Sequence, residues 1–443
     1  MQENLSVLRI SIPSPLRRLF DYLPASDVEF DQLQPGVRLQ VPFGNRKTIG
    51  LLVAKADSSD FDANKLKQAA DVLDETALLP PDILELLTWV ARYYHHPPGE
   101  VYFSALPTLL RKGNPLPVNS TRRWRLSDQG RALDAAALRQ APRQLKLLEC
   151  LRLFEEGADA EQINQQQVNW RPVMSKLIEK QLVEVIEVSA TDLELNTAAN
   201  KQDIEAQDAE VCKVSDTQLE LSEAQNHAVQ QITDKLDQYQ AFLLDGVTGS
   251  GKTEVYLRVI EAVIRQGRQA LVLVPEIGLT PQMVARFRDR FHCAVAVFHS
   301  GLNEKQRLLA WLSARDGSAP IIIGTRSAVF TPTANLGVII LDEEHDLSFK
   351  QQEGFRYSAR DVAVKRAHQN NIPIVLGSAT PSLECLHNVQ AQRFEHLVLP
   401  ERVGGAQHPG MRLLAVRAGK MPEGLSPVLV GMVRQHREQG TQG

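Results

Sequence analysis

The run Phe242-Leu243-Leu244-Asp245 leads directly into Gly246-Val247-Thr248-Gly249-Ser250-Gly251-Lys252-Thr253, and Glu254 to Arg265 follows with apolar residues at helical spacing. Few sequence features constrain a fold as tightly. A strand, a glycine-rich loop and a helix in that order predict a βα unit whose loop cradles the phosphates of a nucleoside triphosphate. Gly246, Gly249 and Gly251 let the backbone wrap around phosphate oxygens, and the cradle takes in Val247, Thr248 and Ser250, whose N–H groups face the anion with the helix N-terminus. Lys252 is placed to reach the β- and γ-phosphates, and the Thr253 hydroxyl to meet Mg²⁺.

A second strand supplies acids. Val338-Ile339-Ile340-Leu341 is apolar and ends in Asp342-Glu343-Glu344-His345, so Asp342 is expected to hold Mg²⁺ through water and Glu343 to polarise the water that attacks the γ-phosphate. Lys252, Asp342 and Glu343 are the expected catalytic residues. A third apolar strand ends in Gly377-Ser378-Ala379-Thr380-Pro381, where the Ser378 and Thr380 hydroxyls are placed to link the acids to movement of a neighbouring domain. Around these motifs the sequence alternates apolar runs (Ala270–Val274, Ala294–Phe298, Ile321–Ile323, Ile374–Leu376) with helical stretches, which predicts a parallel sheet covered on both faces.

At 443 residues, 43% hydrophobic and 23% charged, the chain has room for roughly three globular domains. Residues 1–112 read as a small β-rich domain of short strands between Gly and Pro, closed by a helix from Pro81 to Tyr94 with Ile83, Leu86, Leu87, Val90 and Tyr94 on one face. Residues 113–188 read as helices Pro142–Phe154, Ala160–Gln166 and a third capped by Asn169, then a strand Leu182–Val188. That order outlines a winged helix, which serves DNA or protein docking. The acidic stretch 189–215 is expected to be a linker. The nucleotide-binding domain is placed over 216–398, and 399–443 as the start of a connection to a further domain.

A net charge of −4 means that any nucleic-acid contact must come from local basic surface. Four cysteines far apart, without a Cys-x-x-Cys pair, predict neither a zinc site nor a disulfide framework. The N-terminus has no leader pattern, and no apolar run approaches the roughly 18 residues of a membrane span, so a cytoplasmic protein without membrane contact is expected.

The phosphate loop, Asp342-Glu343-Glu344-His345 and Ser378-Ala379-Thr380 resemble motifs I, II and III of superfamily 2 helicases, with Gln225 where an adenine-contacting glutamine would sit. More narrowly, GVTGSGKTEVY (246–256), VPEIGLTPQ (274–282), Gly324-Thr325-Arg326-Ser327 and DEEHDLSFKQQEGFRYSAR (342–360) resemble the PriA family of replication-restart helicases. Phe20-Asp21-Tyr22, Val41-Pro42-Phe43-Gly44 and Tyr93-Tyr94-His95-His96-Pro97 resemble that family's N-terminal domain, which binds the 3′ end of a nascent leading strand. The resemblance covers essentially the whole chain. It implies a RecA-like first motor lobe, use of ATP and Mg²⁺, binding to forked and single-stranded DNA, partners among primosome proteins and single-strand-binding protein, and a monomer.

It also implies roles for particular residues. Phe20 would stack on a terminal base, Asp21 would accept a hydrogen bond from a free 3′-hydroxyl, Gly44 would allow close approach, and Lys67 would contact phosphate. Thr280, Thr325 and Arg326 follow strand ends and are expected to hold single-strand phosphates. Phe349, Phe355 and Tyr357, interleaved with Lys350, Arg356 and Arg360, match an aromatic-rich loop on which bases would stack; the alternative is that these rings pack a surface hairpin. The family's paired Cys-x-x-Cys zinc modules and second-lobe arginine motifs have no counterpart in these 443 residues, so zinc ligands are absent from them. The expected function is an ATP-dependent 3′→5′ DNA helicase of replication restart, in a truncated form that binds forks and nucleotide but unwinds poorly. The other expectation is a non-catalytic module that binds forks and recruits primosome proteins.

Overall fold

In the computed structural model the described residues are 6–25, 28–116, 120–132, 141–154, 157–158, 163, 170–189, 220–402 and 425–439. The first six strands, β1 (Val7–Ser11), β2 (Phe20–Leu23), β3 (Arg38–Phe43), β4 (Arg46–Ala56), β5 (Lys67–Gln68) and β6 (Asp71–Val72), form one sheet in the order β5-β2-β1-β4-β3-β6. Its pairings are antiparallel except β2 with β5. Leu8, Ile10, Leu39, Val41 and Leu52 alternate inward along these strands and build a small core with Tyr22. The sheet curls enough for β2 to reach β3, with which it is not paired: the Tyr22 hydroxyl donates to the Pro42 carbonyl at 2.9 Å.

The helix Pro81–Tyr93 starts on a proline, where no N–H is needed, and ends at Tyr94 before His95 turns left-handed at φ 50°. Of its expected apolar face, Ile83, Leu86, Leu87 and Val90 are fully buried, and Tyr94, expected on the same face, is half-buried. Buried Arg38 clamps this region together: its guanidinium pairs with Asp74 at 2.7 Å and donates to the carbonyls of Leu110 and Asn114.

Within the expected winged helix, β7 (Ser120–Leu126) pairs antiparallel with β8 (Val183–Ser189) beside helices Pro142–Arg152 and Arg171–Glu179. A separate core of Leu126, Leu147, Leu148, Leu151, Trp170, Met174 and Leu177 holds these pieces. The third helix begins after Trp170. Most of the expected Ala160–Gln166 helix, the Asn169 cap and all of the expected 189–215 linker except Ser189, which ends β8, lie outside the described residues.

The second large sheet contains β9 (Ala241–Gly246), β10 (Gln269–Leu273), β11 (Val295–Phe298), β12 (Ile321–Gly324), β13 (Leu336–Leu341), β14 (Ile374–Ser378) and β15 (Phe394–Leu399). Their order is β11-β12-β10-β13-β14-β9-β15, and every pairing is parallel. Alternate residues serve opposite faces. On one face Phe242, Leu244, Ala270, Val272, Val338 and Ile340 pack with helices Glu223–Thr233, Lys252–Arg265 and Pro281–Phe291. On the other, Leu243, Leu271, Leu273, Ile339 and Leu341 pack with helices Glu304–Asp316 and Ala359–Gln369, and the same core continues into Leu79, Leu86, Val90 and Leu106 of the N-terminal region. Several strands were not expected from the sequence, among them the short β2, β5 and β6. β15 is half-exposed at the sheet edge, and β7 pairs far along the chain with β8.

Residues Met1–Glu401 form one compact unit and Arg402–Gly443 a second, whose described part is the helix Pro427–Glu438, capped by the Ser426 hydroxyl. No helix among the described residues is long and apolar enough to cross a membrane.

Candidate nucleotide site and DNA-facing residues

The phosphate loop takes the predicted geometry. β9 runs into a loop in which Gly249 and Gly251 hold φ of 81° and 82°, and the helix begins at Lys252. Gly246 is needed for space: a Cβ there would stand 2.5 Å from Ser250 Oγ and 3.2 Å from Lys252 Cγ. Lys252 Nζ is turned back onto the Gly246 carbonyl at 2.7 Å, and the buried Ser250 hydroxyl has no hydrogen-bond partner among the described residues. Val247 and Thr253 are half-buried and Thr248 is exposed, so the loop's outer side is open.

Gln225 has a different task from the expected adenine contact. Its Oε1 accepts the Ser222 N–H, completing a capping box, and its Nε2 donates to the Ser250 carbonyl at 2.9 Å. With the amide engaged at both ends and the side chain buried, Gln225 ties the Glu223–Thr233 helix to the phosphate loop.

β13 and β14 bring the acids and hydroxyls to the same sheet edge. Asp342 accepts from the Tyr256 hydroxyl at 2.9 Å, and burial raises its pKa against the opposing pull of that bond. Burial likewise pushes the Tyr256 hydroxyl well above its ordinary value, with the Asp342 charge adding to it, so it remains a donor. Glu343 sits at φ 49°, which turns the chain at the strand end. Glu344 turns inward: its N–H donates to the Gly377 carbonyl, and its carboxylate accepts from Ser382 N, Ser382 Oγ, Cys385 Sγ and Arg360 Nη1. Burial alone would raise the Glu344 pKa, but these bonds outweigh it and hold the carboxyl below the usual range.

His345 joins the acid-ended strand to Ser378 and Thr380. Its Nδ1 meets Ser378 Oγ at 2.8 Å, its Nε2 meets Thr380 Oγ1 at 3.3 Å, and Glu343 lies 3.7 Å from the ring. Lys252, Thr253, Asp342, Glu343, Ser378 and Thr380 thus lie on three adjoining elements of one edge. The sequence reading did not single out Tyr256, Glu344 with Arg360, or His345. For Tyr256 a signal existed, since it lies four residues after Lys252 and so on the same helix face.

The aromatic-rich loop departs from expectation. Phe349 and Tyr357 are buried, and Tyr357 stacks on Phe355 at 4.7 Å and packs on Phe330 at 5.0 Å. Phe355, half-buried, leans on His96 at 5.0 Å. The rings therefore fill a core rather than offer faces to bases, because the helix end at Tyr94–His96 lies against them. Arg326 is also committed: its guanidinium donates to the carbonyls of Ser348 and Lys350, which braces the loop from within and leaves it poorly placed to hold phosphate. Thr325 is buried at the start of a 3₁₀ turn, whereas Thr280 is exposed and its hydroxyl caps the Pro281–Phe291 helix. Lys350 and Arg356 remain exposed.

The N-terminal candidates share one end of their sheet. Phe20 and Asp21 lie on β2, and Lys67 is exposed on β5, where it pairs with Tyr22. Phe20 meets the Phe43 ring edge-on at 5.2 Å, beside Gly44, whose Cβ position is open space. Asp21 accepts from the Ser59 hydroxyl at 2.6 Å, and the Arg18 guanidinium lies over Phe20 at 5.1 Å and Phe61 at 5.9 Å. The cluster is a partly exposed pairing of aromatic faces, one carboxylate and two cations.

Comparison with known proteins finds a match for each of the two regions. A family model described as the 3′ DNA-binding domain of PriA matches residues 9–107, and one for DEAD/DEAH box helicases matches residues 222–389. The replication restart protein PriA of Haemophilus influenzae is 39% identical over 439 residues, covering 99% of this chain and 58% of that protein. The Bacillus subtilis protein of the same name is 32% identical over 454 residues, covering 90% and 56%. That of Synechocystis reaches 50% over 199 residues, covering 44% and 24%. This chain thus spans 58% and 56% of the length of the two relatives it matches along most of its own. The chain thus carries a 3′ DNA-binding domain of the PriA type and a DEAD/DEAH-box helicase domain in one polypeptide, and along 99% of its length it is similar to a replication restart protein PriA.

Proposed function

We propose that the chain is the fork-binding and first motor part of an ATP-dependent 3′→5′ DNA helicase of replication restart. One observation carries the reading: a phosphate loop, an acid-ended strand and a hydroxyl-ended strand share one sheet edge, joined by a continuous core to a domain matched to 3′-end binding. The loop residues suit a triphosphate. The Lys252 ammonium rests on a carbonyl and the Ser250 hydroxyl is buried unpaired, and both are groups that phosphate oxygens would satisfy. Thr253 and Asp342 are the residues to hold magnesium, which when bound neutralises phosphate charge. Glu343 would take a proton from the attacking water, and His345 would relay the state of that acid to Ser378 and Thr380.

At the other site, Asp21 would accept the terminal 3′-hydroxyl while Phe20 stacks on the last base and Lys67 meets phosphate. Exposed Lys350, Arg356 and Thr280 would add backbone contacts. The test is binding of the purified protein to forks whose leading strand ends in a 3′-hydroxyl or a 3′-phosphate. Tighter binding to the hydroxyl end supports the reading, and equal binding removes the terminal pocket from it.

A further inference from the structure

The helix that begins at the phosphate loop carries a buried tyrosine that the chemistry above leaves unused. Tyr256 stands one turn beyond Lys252, is 2% exposed, and gives its hydroxyl proton to Asp342 Oδ1 at 2.9 Å. Space for that hydroxyl exists only because residue 377 is glycine. A Cβ built on Gly377 would lie 1.6 Å from the Tyr256 hydroxyl oxygen and 3.4 Å from Asp342 Oδ1. The Gly377 carbonyl also accepts the Glu344 N–H at 3.0 Å, so the end of β14 touches the acid strand at two points.

A carboxylate with one oxygen anchored by a rigid buried donor cannot turn freely about its Cβ–Cγ bond, and the geometry it presents to a ligand is set in advance. We infer that Tyr256 is a positioning residue that fixes the Asp342 carboxylate for a magnesium–nucleotide complex, and that Gly377 is the gap that admits it. The inference rests on the nucleotide reading above. It gives the glycine of Gly377-Ser378-Ala379-Thr380 a task separate from that of the two hydroxyls. A side chain at 377 would push the tyrosine off the acid, whereas the hydroxyls act through His345.

The experiment is titration of the purified 443-residue protein with a fluorescent ATP analogue, in magnesium chloride and in EDTA. Wild type should bind more tightly with magnesium. Tyr256→Phe removes a single oxygen from a packed ring, and it should cut that magnesium-dependent gain about tenfold while leaving the affinity in EDTA unchanged. Gly377→Ala should have the same effect, and the double variant should be no worse than either single one, as expected of residues acting on one contact. A Tyr256→Phe protein with the wild-type magnesium gain overturns the inference, as does an equal loss of affinity with and without magnesium, which marks the tyrosine as packing only. Wild-type protein that binds no nucleotide in either buffer overturns the nucleotide reading itself.

Discussion

The indole N–H of Trp311, in the helicase sheet's Glu304–Asp316 helix, donates to the carbonyl of Ala105 in the N-terminal region at 2.9 Å. One turn on, Arg315 donates to the carbonyls of Leu78 and Ala77. The residues around these bonds belong to one uninterrupted core, so the two matched domains fold against each other rather than side by side on a linker.

Trp311→Ala should therefore lower global stability by about 3–5 kcal/mol, the usual cost of removing a large buried ring, and leave the Ala105 carbonyl unpaired. Equilibrium urea unfolding measures it. Fluorescent probes attached to the N-terminal sheet and to the helicase sheet should report one shared midpoint, and two well-separated midpoints would contradict a common core.

Lys252→Ala should abolish nucleotide binding and leave fork binding nearly intact. It removes a charge-assisted phosphate contact of about 1.5–3 kcal/mol at a position more than a hundred residues beyond the N-terminal sheet. Calorimetric titration with ATP, and fork binding by fluorescence anisotropy, separate the two effects. Unchanged nucleotide affinity would defeat the assignment of the loop.

The ends of β9 and β13 were legible in the sequence because their signals are local. A strand followed by Gly-rich loop and helix, or by consecutive acids, specifies its own neighbourhood, and Val338 to Leu341 are apolar at every position because both faces of that strand are covered. What failed to show is non-local. Interleaved aromatics and cations between Phe349 and Arg360 read as a platform for bases, with a packed hairpin only as the alternative. The deciding partners, Phe330, Tyr94 and His96, come from elsewhere in the chain. Gln225 lies beside the loop, held by a capping box with Ser222 and by a bond to the Ser250 carbonyl that no local pattern of the sequence announces. Ser120–Leu126 has three arginines and finds its strand pairing only with Val183–Ser189.

Glu344→Gln should destabilise the protein by about 1.5–3 kcal/mol at neutral pH, because Arg360 would lose its buried carboxylate partner and keep only the more exposed Asp361 and Glu384. The effect carries a pH signature. The Glu344 carboxyl is held below the ordinary range, so its contribution is complete above the unfolded value near about pH 4.3 and fades as pH falls through the lower folded value. Urea midpoints for both proteins across that range test the sign: the gap should be constant between pH 7 and 5.5 and close in stronger acid.

Asp21→Ala should erase the preference for a 3′-hydroxyl end over a 3′-phosphate end, a loss of roughly 1–3 kcal/mol for one polar terminal contact. Ser59 donates to this carboxylate, so Ser59→Ala provides a milder companion. Competition between the two DNA ends reads the preference directly. A preference that survives both substitutions would move the terminal pocket elsewhere.

The left-handed backbone at Glu343 has an electrostatic consequence. Three consecutive carboxylates at one strand end would repel one another if they lay in a single patch. With φ at 49° the chain turns between Asp342 and Glu344, and each acid finds its own counterpart: a tyrosine hydroxyl for the first, the edge of His345 for the second, an arginine in the interior for the third. One unusual torsion thus divides a block of like charge among three separate environments.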